Sequence, residues 1–172
     1  MANSFFDKNK FEEAQECLDK ALAIFDSVQI DESQKYGKCQ CLWLKGILKR
    51  EIADQNGAVQ AIAPCIAMLE ELFVLQPEVA EFLTEAYEMI VNLHYQRGDL
   101  EQAHKYSKKG LDFIDKTLGK NNLKGHNLAR ELAYTLTRQH REPKALVYVE
   151  KWQILSSIKT SLKKLKNVLI RH

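Results

Sequence analysis

Arg130, Tyr134 and Arg138 recur every fourth residue, so on an α-helix they would share one face. Arginine offers planar, multidentate donors to carboxylate or phosphate, and tyrosine adds a flat amphipathic surface. This is the chemistry of recognition, not of bond making. The residue types that make and break bonds are present in arrangements that do not support catalysis. His94, His104, His126, His140 and His172 form no metal-ligand pair at helical spacing, and no serine lies in a nucleophile-elbow motif. LGKNNLKG (118–125) lacks the Gly-Lys-Ser/Thr spacing of a phosphate loop. Cys39-x-Cys41 has neither a second pair nor a nearby histidine to complete a zinc site. Cys17 and Cys65 sit among apolar helical positions, where a free thiol acts as a small hydrophobe. His94 and His104 fall at expected helix surfaces. The reading is of a non-enzyme with no catalytic residue, metal or cofactor.

The elements that would carry these residues follow from composition and periodicity. The chain has 172 residues, 45% hydrophobic and 28% charged, with seven Gly and three Pro. That suffices for one domain with a real core and leaves little room for long irregular stretches. The most apolar segment, AVQAIAPCIAMLEELFVL (58–75), is interrupted by Gln60, Pro64 and two Glu, so it reads as a buried helix and not as a membrane span. The N-terminal MANSFFDKNK lacks the features of a secretory signal. With four cysteines and no disulfide framework, the expectation is an intracellular protein, cytoplasmic or nuclear. Net charge is +2, but residues 141–172 carry eight Lys and Arg against two Glu, so the basic end needs its own explanation.

Internal similarity organises the rest. NKFEEAQECLDKAL (9–22), GAVQAIAPCIAML (57–69), GDLEQAHKYSKKGL (98–111) and REPKALVYVEKWQI (141–154) align on Ala14, Ala61, Ala103 and Ala145, at steps of 47, 42 and 42 residues. Upstream of the last three lie further patterns at spacings of three and four: Tyr36, Trp43, Leu44, Ile47 and Leu48; then Val79, Phe82, Leu83, Ala86, Tyr87, Ile90, Val91 and Leu93; then Leu128, Leu132, Ala133 and Leu136. Each unit is therefore a pair of amphipathic helices. The aligned alanines, with Ala21 and Gly110 seven residues after theirs, are positions where two helices approach closely. Breaks are expected at Asn56-Gly57, at Pro77, at Gly98-Asp99 and at Gly119, and Pro143 can open a helix. Pro64 conflicts with the pattern: it would kink its helix, or mark the helix start.

The segment YQRGDLEQAHKYSKKGL (95–111) resembles the turn and second helix of the tetratricopeptide repeat (TPR) family, through Gly98, Asp99, Leu100, Ala103, Tyr106, Gly110 and Leu111. Asn9–Ala14 with Ala21-Leu22, and Leu132-Ala133, are similar to the same pattern. The 42-residue step resembles the long variant in kinesin light chains. Ile90-Val91 departs from the family's large/small pair, and the unit holding Pro64 departs most. The resemblance implies an all-α, right-handed α-solenoid of antiparallel helix pairs with a C-terminal capping helix. As one domain over 1–172, it would comprise a partial repeat at about 5–27, repeats at 33–76, 77–119 and 122–155, and a basic amphipathic helix at 156–172. It also implies that first helices line a concave groove that binds a peptide or partner helix. Carried onto this chain, the groove residues are Trp43, Arg50, Glu88, Asn92, Gln96, Asn127, Arg130, Tyr134 and Arg138.

In LSSIKTSLKKLKNVLIRH, Leu155, Ile158, Leu162, Leu165 and Leu169 form a seam ringed by lysines. Three roles fit it: a capping helix, self-association or docking of a partner helix, and contact with an acidic membrane or nucleic acid surface. One helix is expected from about 143 to 170, bent near Ser156-Ser157. Three functional classes follow: an interaction scaffold or adaptor, a peptide-responsive regulatory domain, and an RNA-binding repeat using the basic end. The first leads, with a protein or peptide as partner and nucleic acid not expected.

Overall fold

The computed structural model describes residues 10–119 and 122–152. Within them lie seven α-helices and no strand: α1 (Phe11–Ser27), α2 (Glu32–Glu51), α3 (Gln55–Phe73), α4 (Ala80–Gln96), α5 (Leu100–Thr117), α6 (Leu123–Arg138) and α7 (Glu142–Lys151). A 3-10 turn at Pro77–Val79 leads into α4.

Local chemistry sets the helix ends. Asp31 opens α2 with a capping box: its carboxylate accepts the Gln34 N–H at 2.8 Å, and the Gln34 side chain accepts the Asp31 N–H at 3.0 Å. Asp99 and Asn122 cap α5 and α6 with side-chain oxygens in the same manner. Such a cap is worth about 1 kcal/mol. Gly98 adopts φ +75° ahead of the Asp99 cap, a conformation that costs glycine little and other residues more. Gly119 follows the end of α5, with its N–H on the Ile114 carbonyl at 2.9 Å. Pro143 lies in the first turn of α7.

One expected break falls elsewhere, and one of the two readings of Pro64 is excluded. Asn56-Gly57 does not separate helices; both residues lie in the first turn of α3. The break is at Ala53-Asp54, where Ala53 takes φ +60° and the Asp54 carboxylate accepts the Gly57 N–H at 2.8 Å. An aspartate cap thus moves the helix start ahead of the Asn-Gly pair. Pro64 does not start a helix either, since α3 runs from Gln55 through it to Phe73. A proline inside a helix costs about 3 kcal/mol. Burial of Ile62, Cys65, Ile66, Leu69 and Leu72 on the same helix offsets that, at roughly 1.5–3 kcal/mol for each large side chain.

The chain divides into two compact units after Leu93, inside α4. In the first, α1 packs on α2 and α2 on α3. Phe82 stands edge-on to both Tyr36 and Trp43, at 6.0 and 5.5 Å between ring centroids. The Tyr87 hydroxyl donates to the Glu70 carboxylate.

In the second unit, α6 packs against both α5 and α7. Its core holds Leu111, Ile114, Leu128, Leu132, Leu136, Val149 and Trp152. The Trp152 ring lies against the backbone of Gly125 so closely that a β-carbon there would overlap it. Ala103, Ser107 and Gly110 are buried along one face of α5, the small-residue stripe expected at a close helix contact. Ala61 and Ala145 are buried as well, while Ala14 is half-buried. The expected continuation of α7 to about 170, and the seam from Leu155 to Leu169, lie outside the described residues.

Candidate functional site

The face of α6 that carries Arg130, Tyr134 and Arg138 is defined by what the helix buries. Gly125, Leu128, Ala129, Leu132, Ala133, Thr135 and Leu136 turn inward. Tyr134 is 39% exposed, the large aromatic left outside on this helix. Arg138 is exposed, and its guanidinium lies over the Tyr95 ring at 5.4 Å from the centroid. Arg130 is partly exposed, with Nε 3.8 Å from the Glu131 carboxylate. Burial pushes the Glu131 carboxyl above its usual range, and the neighbouring Arg130 partly offsets this. Asn127 is half-buried two turns before Tyr134. The helix thus presents a ring between two cations, each cation already in contact with a neighbour. An incoming carboxylate or phosphate would compete with Glu131 for Arg130 and would meet Arg138 across the Tyr95 face.

The other expected groove residues are placed as follows. Gln96 is exposed at the end of α4. In the first unit, Trp43 is half-buried against Phe82. Arg50 is exposed and holds the adjacent Glu51 at 2.9 Å. Asn92 is exposed and donates to the Glu88 carbonyl at 3.1 Å, a bond within α4. Glu88 itself is half-buried. Trp43 therefore contributes to packing, and Asn92 spends one donor on its own helix.

The histidines and cysteines depart from expectation. His94 is not at a helix surface; it is 5% exposed and stacks on Tyr106 at 5.5 Å. Its Nδ1 lies 3.3 Å from an Asp99 carboxylate oxygen, within ion-pair range though outside hydrogen-bond alignment. Burial holds the imidazole below its ordinary range, with Asp99 opposing. Cys17 is exposed instead of lying among apolar neighbours. Cys39 and Cys65 are fully buried and meet across α2 and α3, each thiol directed at the other's carbonyl, at 4.0 and 3.4 Å. Hydrogen bonding with Cys39, then burial, pushes the Cys65 thiol well up. Tyr95 was not legible as the partner of Arg138: nothing at helical spacing marks a ring on one helix as the seat for a cation on another.

Solved structures place this arrangement of helices. The chain superposes on BtubC (BKLC) from P. vanneervenii with a TM-score of 0.62 at 13% identity, over 88% of this chain and 58% of that one. The fold is a TPR-like helical repeat. A putative kinesin light chain with TPR-like repeats from Podosopora anserina aligns over 92% of both chains at 15% identity, with a TM-score of 0.41. In sequence, the chain is 27% identical over 115 residues to the regulatory protein RapF of Bacillus subtilis (strain 168), which covers 67% of this chain and 28% of RapF. The chain thus spans under a third of that relative's length and just over half of BtubC. No family model matches it.

Proposed function

We propose that this chain is a protein-interaction module that holds a peptide or partner helix against the polar face of α6, with Arg130, Tyr134 and Arg138 as its contacts. The observation that carries this reading is Tyr134, left 39% exposed between two arginines on a helix whose opposite side is fully buried. Exposed tyrosines flanked by arginines are the residue types that dominate binding energy at protein interfaces. Trp43, Arg50, Glu88, Asn92, Gln96 and Asn127 belong to the same reading as secondary contacts. The reading assigns no catalytic role.

The test is capture of partners by the wild-type chain and by Arg130→Glu/Arg138→Glu, at matched folding. Loss of specific partners from the double variant supports the α6 face, and an unchanged partner set refutes it. A second reading, a regulatory domain that responds to a bound peptide, draws support from the similarity to RapF, a protein named as regulatory. Its distinguishing observation would be a peptide-induced change in amide exchange beyond the α6 face.

A further inference from the structure

The second unit contains a basic cleft that the α6 reading does not use. It lies between α5 and α7, with a volume of about 270 Å³ and Leu136 of α6 at its base. Near the C-terminal ends of these two helices, Lys151 of α7 reaches Asp115 of α5 at 2.9 Å. Towards the other end, Lys108 of α5, Arg141 before α7 and Lys144 of α7 converge on the opening, with His104 among them. Val147 and Tyr148 complete the wall, and Val147 is 59% exposed.

Among the described residues, the charge here is uncompensated. No carboxylate among the described residues lines the cleft. Among the described residues, no ion pair involves Lys108, Arg141 or Lys144. A cleft of similar size in the first unit, about 290 Å³, gives the contrast. Its two lysines are answered, Lys45 by Asp19 at 2.6 Å and Lys49 by Asp54 at 3.4 Å. In the second unit, burial and then the three cations hold His104 below its usual range, as expected where positive charges face one point.

Size and lining restrict the occupant. Sites for drug-sized ligands and cofactors run from roughly 300 to 1,000 Å³, so this one is scaled to a side chain or two. Its cations call for an anionic group, and Val147 with Tyr148 call for an apolar neighbour to that group. We propose that the cleft docks an acidic peptide segment, with a glutamate or aspartate side chain held among Lys108, Arg141 and Lys144 and an adjacent apolar side chain against Val147 and Tyr148. The site is separate from the exposed face of α6 and does not depend on it.

The experiment follows backbone amide shifts of the isotope-labelled full chain during titration with acetyl-Ala-Glu-Leu-Glu-Ala-amide. The same peptide with glutamine for glutamate, and inorganic phosphate, serve as comparison probes. The glutamate peptide is expected to shift the amides of His104, Lys108, Arg141, Lys144 and Val147, and the glutamine peptide to leave them unmoved. Lys108→Glu/Lys144→Glu should weaken the glutamate peptide about tenfold, the scale of two exposed charge contacts. The milder Lys108→Gln/Lys144→Gln should fall between that variant and wild type, which guards against a folding artefact. Arg130→Glu/Arg138→Glu should retain cleft binding, so failure here and failure of the α6 reading are separable. Equal binding of the two peptides, shifts spread over lysines throughout the chain, or phosphate filling the cleft while the peptide does not bind would each overturn the proposal.

Discussion

The guanidinium of Arg138 lies 5.4 Å from the centre of the Tyr95 ring, so the end of α6 is tied to the last turn of α4 by a cation over an aromatic face. The contact fixes one end of the proposed binding face before any partner arrives. At a partly exposed site such a contact is worth about 0.5–1 kcal/mol. Arg138→Gln should lower unfolding free energy by about that amount. In a double-mutant cycle with Tyr95→Leu the effects should not add, and Arg138→Lys should recover part of the loss. Urea titration measures all of these, and strict additivity would show that the two residues do not interact.

Gly125 is a point of close approach in the second unit. The Trp152 ring occupies the space a β-carbon would need, with Ile114 3.1 Å from that position. Alanine favours helix over glycine by about 1 kcal/mol, yet overpacking a core costs typically about 1–3 kcal/mol. Gly125→Ala should therefore be net destabilising and should red-shift the emission of Trp152 as its ring is pushed outward. A variant more stable than wild type would mean that the tryptophan moves aside without cost.

Burial of His94 makes stability depend on pH. Its folded-state pKa is lowered from the ordinary 6.5, chiefly by burial, so the unfolded chain takes up a proton more readily. Stability from this residue is complete above pH 6.5, declines as pH falls below it, and levels off beneath the folded-state pKa. His104 is lowered as well and adds in the same direction. The melting temperature should drop between about pH 7 and about pH 5. His94→Gln should make that drop shallower, and an unchanged slope would remove His94 as its source.

The four thiols should separate by accessibility. Cys17 is exposed, Cys41 is half-buried with its thiol raised by burial, and Cys39 and Cys65 are buried together. Reaction requires an accessible thiolate. A disulfide reagent should modify Cys17 first and Cys41 slowly, with Cys39 and Cys65 reacting at the rate of unfolding. Adding urea should release that last pair together, and rapid native-state labelling of Cys65 would contradict the α2–α3 packing.

Much of the architecture was legible in the sequence because helices are local objects. Period-3.6 patterns mark the buried faces of α4 and α6, and Gly98-Asp99, Gly119 and Pro143 mark the start of α5, its end and the start of α7 through the backbone angles and caps they favour. Where local signals competed, the stronger one won. Asp54 set the start of α3 ahead of Asn56-Gly57, and five buried side chains carried that helix through Pro64. The four-residue spacing of Arg130, Tyr134 and Arg138 likewise placed them on one face with no knowledge of the rest of the fold.

Which residues meet across helices was a different matter. Cys39 and Cys65 are 26 positions apart, and Trp152 reaches Gly125 from the end of a different helix. Arg138 finds Tyr95, and Lys108, Arg141 and Lys144 converge with no carboxylate among the described residues beside them. Each depends on how two helices are rotated and offset against one another. Close packing of whole surfaces sets that relation, and no short stretch of sequence contains it. The sequence alone determined that the chain folds as paired helices and which face of α6 stays outside. Tertiary packing alone decided which charges on that fold are answered and which are not.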